Sequence, residues 1–138
     1  MGGIKVTPAD TWFSKCVREA ADWTCITCGT QYIEGHRGLH CSHGYSRGQW
    51  GLRFKGLNAR AQCYACHMRT GGNWMLTELS DFERGVLADW AADVSLGKVY
   101  RRTKGKGEIV KWYKQQHDEM RMLRECGVTG LLTFEDFF

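Results

Sequence analysis

Apolar residues recur along this chain at two different spacings, and the switches between them mark out its elements. Trp12, Phe13, Cys16, Val17 and Ala20 fall three and four residues apart, which places them on one face of a helix. Thr7-Pro8-Ala9-Asp10 supplies its start, with Thr7 as N-cap, Pro8 at the first helical position and an acid in the first turn. A helix is therefore predicted to about Ala21, with Cys16 on the packed face. Between 24 and 50 that spacing is lost, and Gly29, Gly35, Gly38, Gly44 and Gly48 punctuate the chain around Tyr32 and Ile33. This predicts a hairpin of two short strands, about 31–34 and 38–43. A short helix is expected from near Cys63. Ser80-Asp81-Phe82-Glu83 is a capping-box pattern, predicting a helix to about Leu96 that buries Phe82, Val86, Leu87 and Trp90 and ends at Gly97. After a glycine- and lysine-rich loop over 98–107, Ile109, Trp112, Tyr113, Met120 and Leu123 mark a last helix closed by Gly127. The tail to Phe138 is apolar and acidic, fit either to fold back on the core or to meet a partner.

These elements describe one α+β domain, with an N-terminal helix over 7–22, a core over 23–75, a helical part over 76–127 and a tail over 128–138. A domain of 138 residues buries only a modest core, so further cross-links are expected. Seven cysteines can supply them. No apolar signal stretch precedes Thr7 and no long apolar run follows, so a cytoplasmic, reduced chain is expected, neither secreted nor bound to a membrane. An odd cysteine count also fits metal binding better than a closed set of disulfides.

Net charge is +4, but its distribution says more than its size. From Gly35 to Thr77 there is no Asp or Glu, while Arg37, Arg47, Arg53, Lys55, Arg60 and Arg69 are all basic. A second basic run follows from Lys98 to Lys114, including Lys104 and Lys106, interrupted only by Glu108. Such blocks are either solvated faces or the footprint of a polyanion, usually nucleic acid.

Cys25-Ile26-Thr27-Cys28 and Cys63-Tyr64-Ala65-Cys66 are two Cys-x-x-Cys pairs separated by 34 residues. Each offers two thiolates from one tight turn, and four together satisfy a tetrahedral zinc with no open position, the signature of a structural site. A redox pair needs a strand-helix context that is missing here. Between and within the pairs fall His43 on the expected strand, Asn58 before the second knuckle and His67 just after it. That is the order and approximate spacing of an HNH nuclease, a small zinc-stapled ββα-metal, treble-clef-like core with flanking helices. The chemistry suits the residue types: a neutral imidazole takes a proton from water near neutral pH, and a divalent cation, Mg2+ or Mn2+, stabilises charge developing on a phosphate. His43 is expected as general base and, with His67, as a ligand of the catalytic cation. Asn58 would bridge the loop backbone and keep the strand in register, or simply cap the short helix.

At these residues the chain resembles the lambdoid-phage NinG (Rap) recombination endonucleases, within the wider HNH and treble-clef nucleases. The matching stretches are Trp12-Phe13-Ser14-Lys15, Cys41-Ser42-His43, Ser46-Arg47, Leu52-Arg53-Phe54, Asn58 to His67 and Gly72-Asn73. The resemblance implies a DNA endonuclease acting on branched substrates, such as Holliday junctions or D-loops, during phage recombination, in the host cytoplasm. Resolving a junction usually needs two active sites, so a homodimer is expected, through the last helix or the tail. Arg47 and Arg53 match basic positions of the family and are expected to grip phosphates, with Arg60 and Arg69 alongside, Asn73 touching a phosphate or the cation, and Lys104 and Lys106 extending the contact. Trp50 and Trp74 either stack on an unpaired base or belong to the core. The chain departs from many HNH enzymes at Ser42, where they carry an Asp ligand. His40 or Cys41 can supply the missing ligand, or Cys41 is a buried thiol. The departure also keeps open a non-catalytic zinc-stabilised DNA-binding module, and a zinc-knuckle protein adaptor remains a third class.

Overall fold

In a computed structural model of the chain, which describes residues 5–102 and 106–138, helix α1 (Pro8–Ala20) begins on a closed capping box. The Thr7 hydroxyl accepts from the Asp10 N–H, and the Asp10 carboxylate accepts from the Thr7 N–H at 2.7 Å. Its apolar face carries Ala9, Phe13, Cys16 and Val17 against Ile109, Tyr113 and Met120 of the last helix, which spans Lys106–Glu125. The tail folds back onto this pair. Phe134, Phe137 and Phe138 pack on the same cluster, the Leu132 N–H donates to Ala20 O, and the Trp112 indole donates to Glu135 O.

Two strands make the only sheet among the described residues. Strand β1 (Leu39–His43) pairs antiparallel with β2 (Ala59–Cys63), Leu39 opposite Cys63 and His43 opposite Ala59. The first strand stands close to its predicted place, but its partner is not 31–34. That segment contributes only an isolated bridge between Thr24 and Gln31, and Ile33 is 77% exposed. Gly35 at φ +82° turns the chain away there, so its hydrogen bonds go to closing the first cysteine turn. Helix α2 (Tyr64–Thr70) leaves directly from the end of β2, with the Tyr64 N–H on Gly38 O, so the second cysteine pair does stand at a strand-to-helix junction, contrary to expectation.

A short 3-10 turn leads to α3 (Trp74–Glu78), then α4 (Asp81–Ala92) and α5 (Val94–Arg102). The last helix is α6. The single helix predicted over 80–96 is thus two. Asp93 adopts extended backbone (ψ 98°), and its carboxylate accepts from the Ser95 N–H at 2.9 Å, starting a new helix. Gly97 therefore lies inside α5 rather than at a helix end, and Lys98 to Arg102 are helical rather than loop. Leu87 is fully buried as expected, but Phe82 is 81% exposed. Among the described residues no helix is long and apolar enough to cross a membrane.

Candidate metal centre and histidine site

The two knuckles meet because β2 carries one to the other. The Ile26 N–H donates to Ala61 O, and the Cys63 N–H donates to Cys25 Sγ at 3.3 Å. Gly29 at φ +76° closes the first turn, its N–H on Cys25 O. As a result the sulfurs of Cys25, Cys28, Cys63 and Cys66 all lie within 4.8 Å of one another, and Cys28 and Cys63 are 3.9 Å apart. Sulfurs around a tetrahedral zinc with bonds near 2.3 Å sit about 3.8 Å apart, so the cluster fits such an ion. All four are free of disulfides. The outer contacts fit too: the Arg69 guanidinium donates to Cys66 Sγ at 3.1 Å and the Cys28 N–H lies 3.5 Å from Cys25 Sγ, bonds that stabilise ligating thiolates. A contact with Thr30 brings the Cys28 thiol down to about 6, whereas burial and the neighbouring sulfurs push Cys66 up to about 12. Four crowded thiols resist ionising together, which is the repulsion a dication offsets.

The histidines are arranged by the pleat of β1. Neighbouring strand residues face opposite ways, and Ser42 and His43 do so here. His43 turns toward α1, its ring 5.9 Å from that of Phe13, and its Nε2 is 3.0 Å from Arg53 O. A carbonyl only accepts, so Nε2 carries the proton and Nδ1 keeps a lone pair. Burial lowers the His43 pKa below the usual imidazole value, against the pull of that carbonyl, and favours the neutral ring. Ser42 turns to the other face, where its Oγ is 3.1 Å from His67 Nδ1 on α2, leaving His67 Nε2 for another partner. His40 shares that face, its ring 5.9 Å from that of His67. The expected trio of cation ligands is therefore divided: among the described residues His40, His43 and His67 do not gather around one point, because strand alternation sets His43 apart. Cys41 faces α1 with His43, partly buried against the core, and burial raises its thiol to about 12, so it is a neutral thiol.

Asn58 organises the loop that returns from β1 to β2. It is fully buried. Its Oδ1 accepts from the Tyr45 N–H at 2.8 Å, and its Nδ2 donates to Tyr45 O and Leu52 O at 3.0 and 3.1 Å. Its own carbonyl takes the Gly44 N–H. Loop bridging is thus its geometry, and it is no side-chain cap. A Cβ at Gly44 would press on the Met75 side chain, which would have to shift.

The arginines depart most from expectation. Arg53 is 2% exposed and clasps the Asp10 carboxylate with two bonds of 2.8 and 2.5 Å, so it joins the 44–58 loop to α1 rather than facing a phosphate. Burial works against the Asp10 charge, yet the bonds from Arg53 and Thr7 hold its carboxyl below the ordinary range. Arg60 likewise turns inward, donating to Gly56 O and Ala59 O at 2.9 and 2.8 Å with its guanidinium over the buried Trp74 ring. Arg69 is exposed, with one guanidinium nitrogen on Cys66 Sγ. Arg47 faces a cleft beside His43. Asn73 is exposed at the start of α3. Trp74 is core, while Trp50 stays partly exposed. Lys104 lies outside the described residues, as does the Lys106 side chain. Arg18 escaped the sequence reading: it lines the same cleft as Arg37 and Arg47, and no spacing along the chain announces that. Compared with protein-family models, with curated proteins and with solved structures, the chain matches none.

Proposed function

We propose that this chain is a metal-dependent DNA endonuclease whose β1–β2–α2 unit is a zinc-stapled HNH-type ββα-metal core. The observation that carries the reading is the setting of His43: its Nε2 lies 3.0 Å from a backbone carbonyl, which assigns the proton to that nitrogen and the lone pair to the other, and burial favours the neutral ring. That is what a general base for water requires. Bound beside His67, Mg2+ or Mn2+ would supply charge stabilisation at the scissile phosphate. The donors there are imidazoles and a hydroxyl, which suit Mn2+ better than Mg2+. A phosphate lying along the unpaired edge of β1 meets His43 on one side of the strand and the His67–Ser42 pair on the other. Zinc holds the fold and takes no part in the reaction. Preference for branched DNA, a role in phage recombination and a dimer rest on the resemblance to the NinG endonucleases.

Ser42 favours a second reading, a zinc-stabilised DNA-binding module, because a hydroxyl stands where a ligating carboxylate would bring negative charge to a cation. Incubation with supercoiled plasmid and with a four-way junction, in Mg2+ and in Mn2+, separates the two. Nicking that is faster in Mn2+ and lost in His67→Ala is expected of the endonuclease. Retardation of the DNA with no nicking in either ion leaves the binding module.

A further inference from the structure

Between α1 and the unpaired edge of β1 lies a cleft of about 450 Å3. Arg18 reaches it from α1, Arg37 from the turn before β1 and Arg47 from the loop after it, with His40 and His43 on the strand between them. The one carboxylate on its wall, Asp10, is clasped by Arg53 and lies 3.8 Å from the Arg47 guanidinium. Among the described residues no carboxylate pairs with Arg18 or Arg37. Arg18 is the most constrained: its guanidinium packs 5.2 Å from the Trp23 ring and bonds only weakly to Leu39 O, at 3.5 Å, and its Nε is buried without a hydrogen-bond partner. A buried donor left unmet costs stability; the Nε itself is closed to solvent, so an acceptor arriving from outside would meet the part of Arg18 that lines the cleft. Guanidinium groups match phosphate oxygens in charge and planar geometry.

We propose that this cleft seats the sugar-phosphate backbone of one DNA strand, with Arg18 and Arg37 joining Arg47 as phosphate ligands. In placing the scissile phosphate within reach of His43, the proposal rests on the endonuclease reading. Contacts from these arginines to backbone phosphates carry no sequence information, so the grip is independent of sequence. The footprint is thereby moved from Arg53 and Arg60, which serve the interior, to a set drawn from three separate parts of the chain.

The test is fluorescence anisotropy of a labelled DNA oligonucleotide titrated with the full zinc-loaded chain in Ca2+, over a range of salt. Arg37→Ala removes an exposed side chain and leaves the fold intact. It is expected to weaken binding roughly threefold or more and to lower the slope of log affinity against log salt by about one. Arg18→Lys keeps the charge but not the planar fork, and is expected to weaken binding with less change in slope. Lys15→Ala, on the same helix but turned over Trp12, is expected to change neither. Wild-type affinity and slope in both arginine variants, or an equal loss in Lys15→Ala, would overturn the proposal. Tighter arginine-dependent binding of an RNA of the same sequence would overturn the choice of DNA. Arginine-dependent binding without any cleavage leaves the cleft standing and removes the endonuclease. Full cleavage and binding by Arg37→Ala does the reverse.

Discussion

His43 owes its character to two neighbours, the carbonyl of Arg53 and the ring of Phe13. Its folded-state pKa is depressed, so the neutral base persists to lower pH than a free imidazole would allow. The acid limb of kcat/KM for DNA cleavage should therefore fall below pH 6.5, the ordinary imidazole value; a half-maximal point above that would mean another group is titrating. Asn58 acts through geometry alone. Asn58→Ala strands the Tyr45 N–H and the Tyr45 and Leu52 carbonyls, and a loss of about 3 kcal/mol in denaturant unfolding is expected. Stability within a few tenths of wild type would show the loop does not depend on it. Neither environment can be seen in the one-dimensional chain, where Arg53 is simply a base ten residues beyond His43. Its partner Asp10 lies 43 residues earlier, and only folding reveals that the pair is internal.

At the scale of elements, the parts that could be read were those with local causes. The Thr7 and Ser80 capping boxes start α1 and α4 where their side chains dictate, and the paired cysteines come together in a cluster that could hold a metal ion, as ligand chemistry suggests. Strand β2 was missed because Ala-Arg-Ala-Gln-Cys has small residues on its inward face and no β-branched or aromatic signal. The break at Asp93 was missed because the apolar spacing continues across it. The staple makes its own prediction. Cys66→Ser should lose zinc and the cooperative unfolding transition, while His67→Ala should keep one zinc per chain and a near wild-type melting temperature, as metal analysis and calorimetry can establish. Loss of zinc from the histidine variant would mean that the two kinds of site are not separate.

Across the whole molecule, two packed units share α1. The helix lies against α6 and the tail on one side and supplies a wall of the cleft along β1 on the other. The tail is engaged within its own chain: the Phe134 ring lies 5.9 Å from Phe13 and 6.2 Å from Tyr113, so its buried part is not a ready dimer surface. Phe134→Ala should cost about 2 kcal/mol in unfolding free energy at unchanged zinc content, and an unaffected stability would place the tail outside the core. The most direct single measurement is the single-turnover rate of DNA cleavage in Mn2+ by zinc-replete His43→Ala beside the wild-type chain. A fall of roughly a hundredfold to ten-thousandfold with binding retained is the expected result; cleavage at the wild-type rate, or none by either protein, would contradict a neutral imidazole on β1 as the base that activates water.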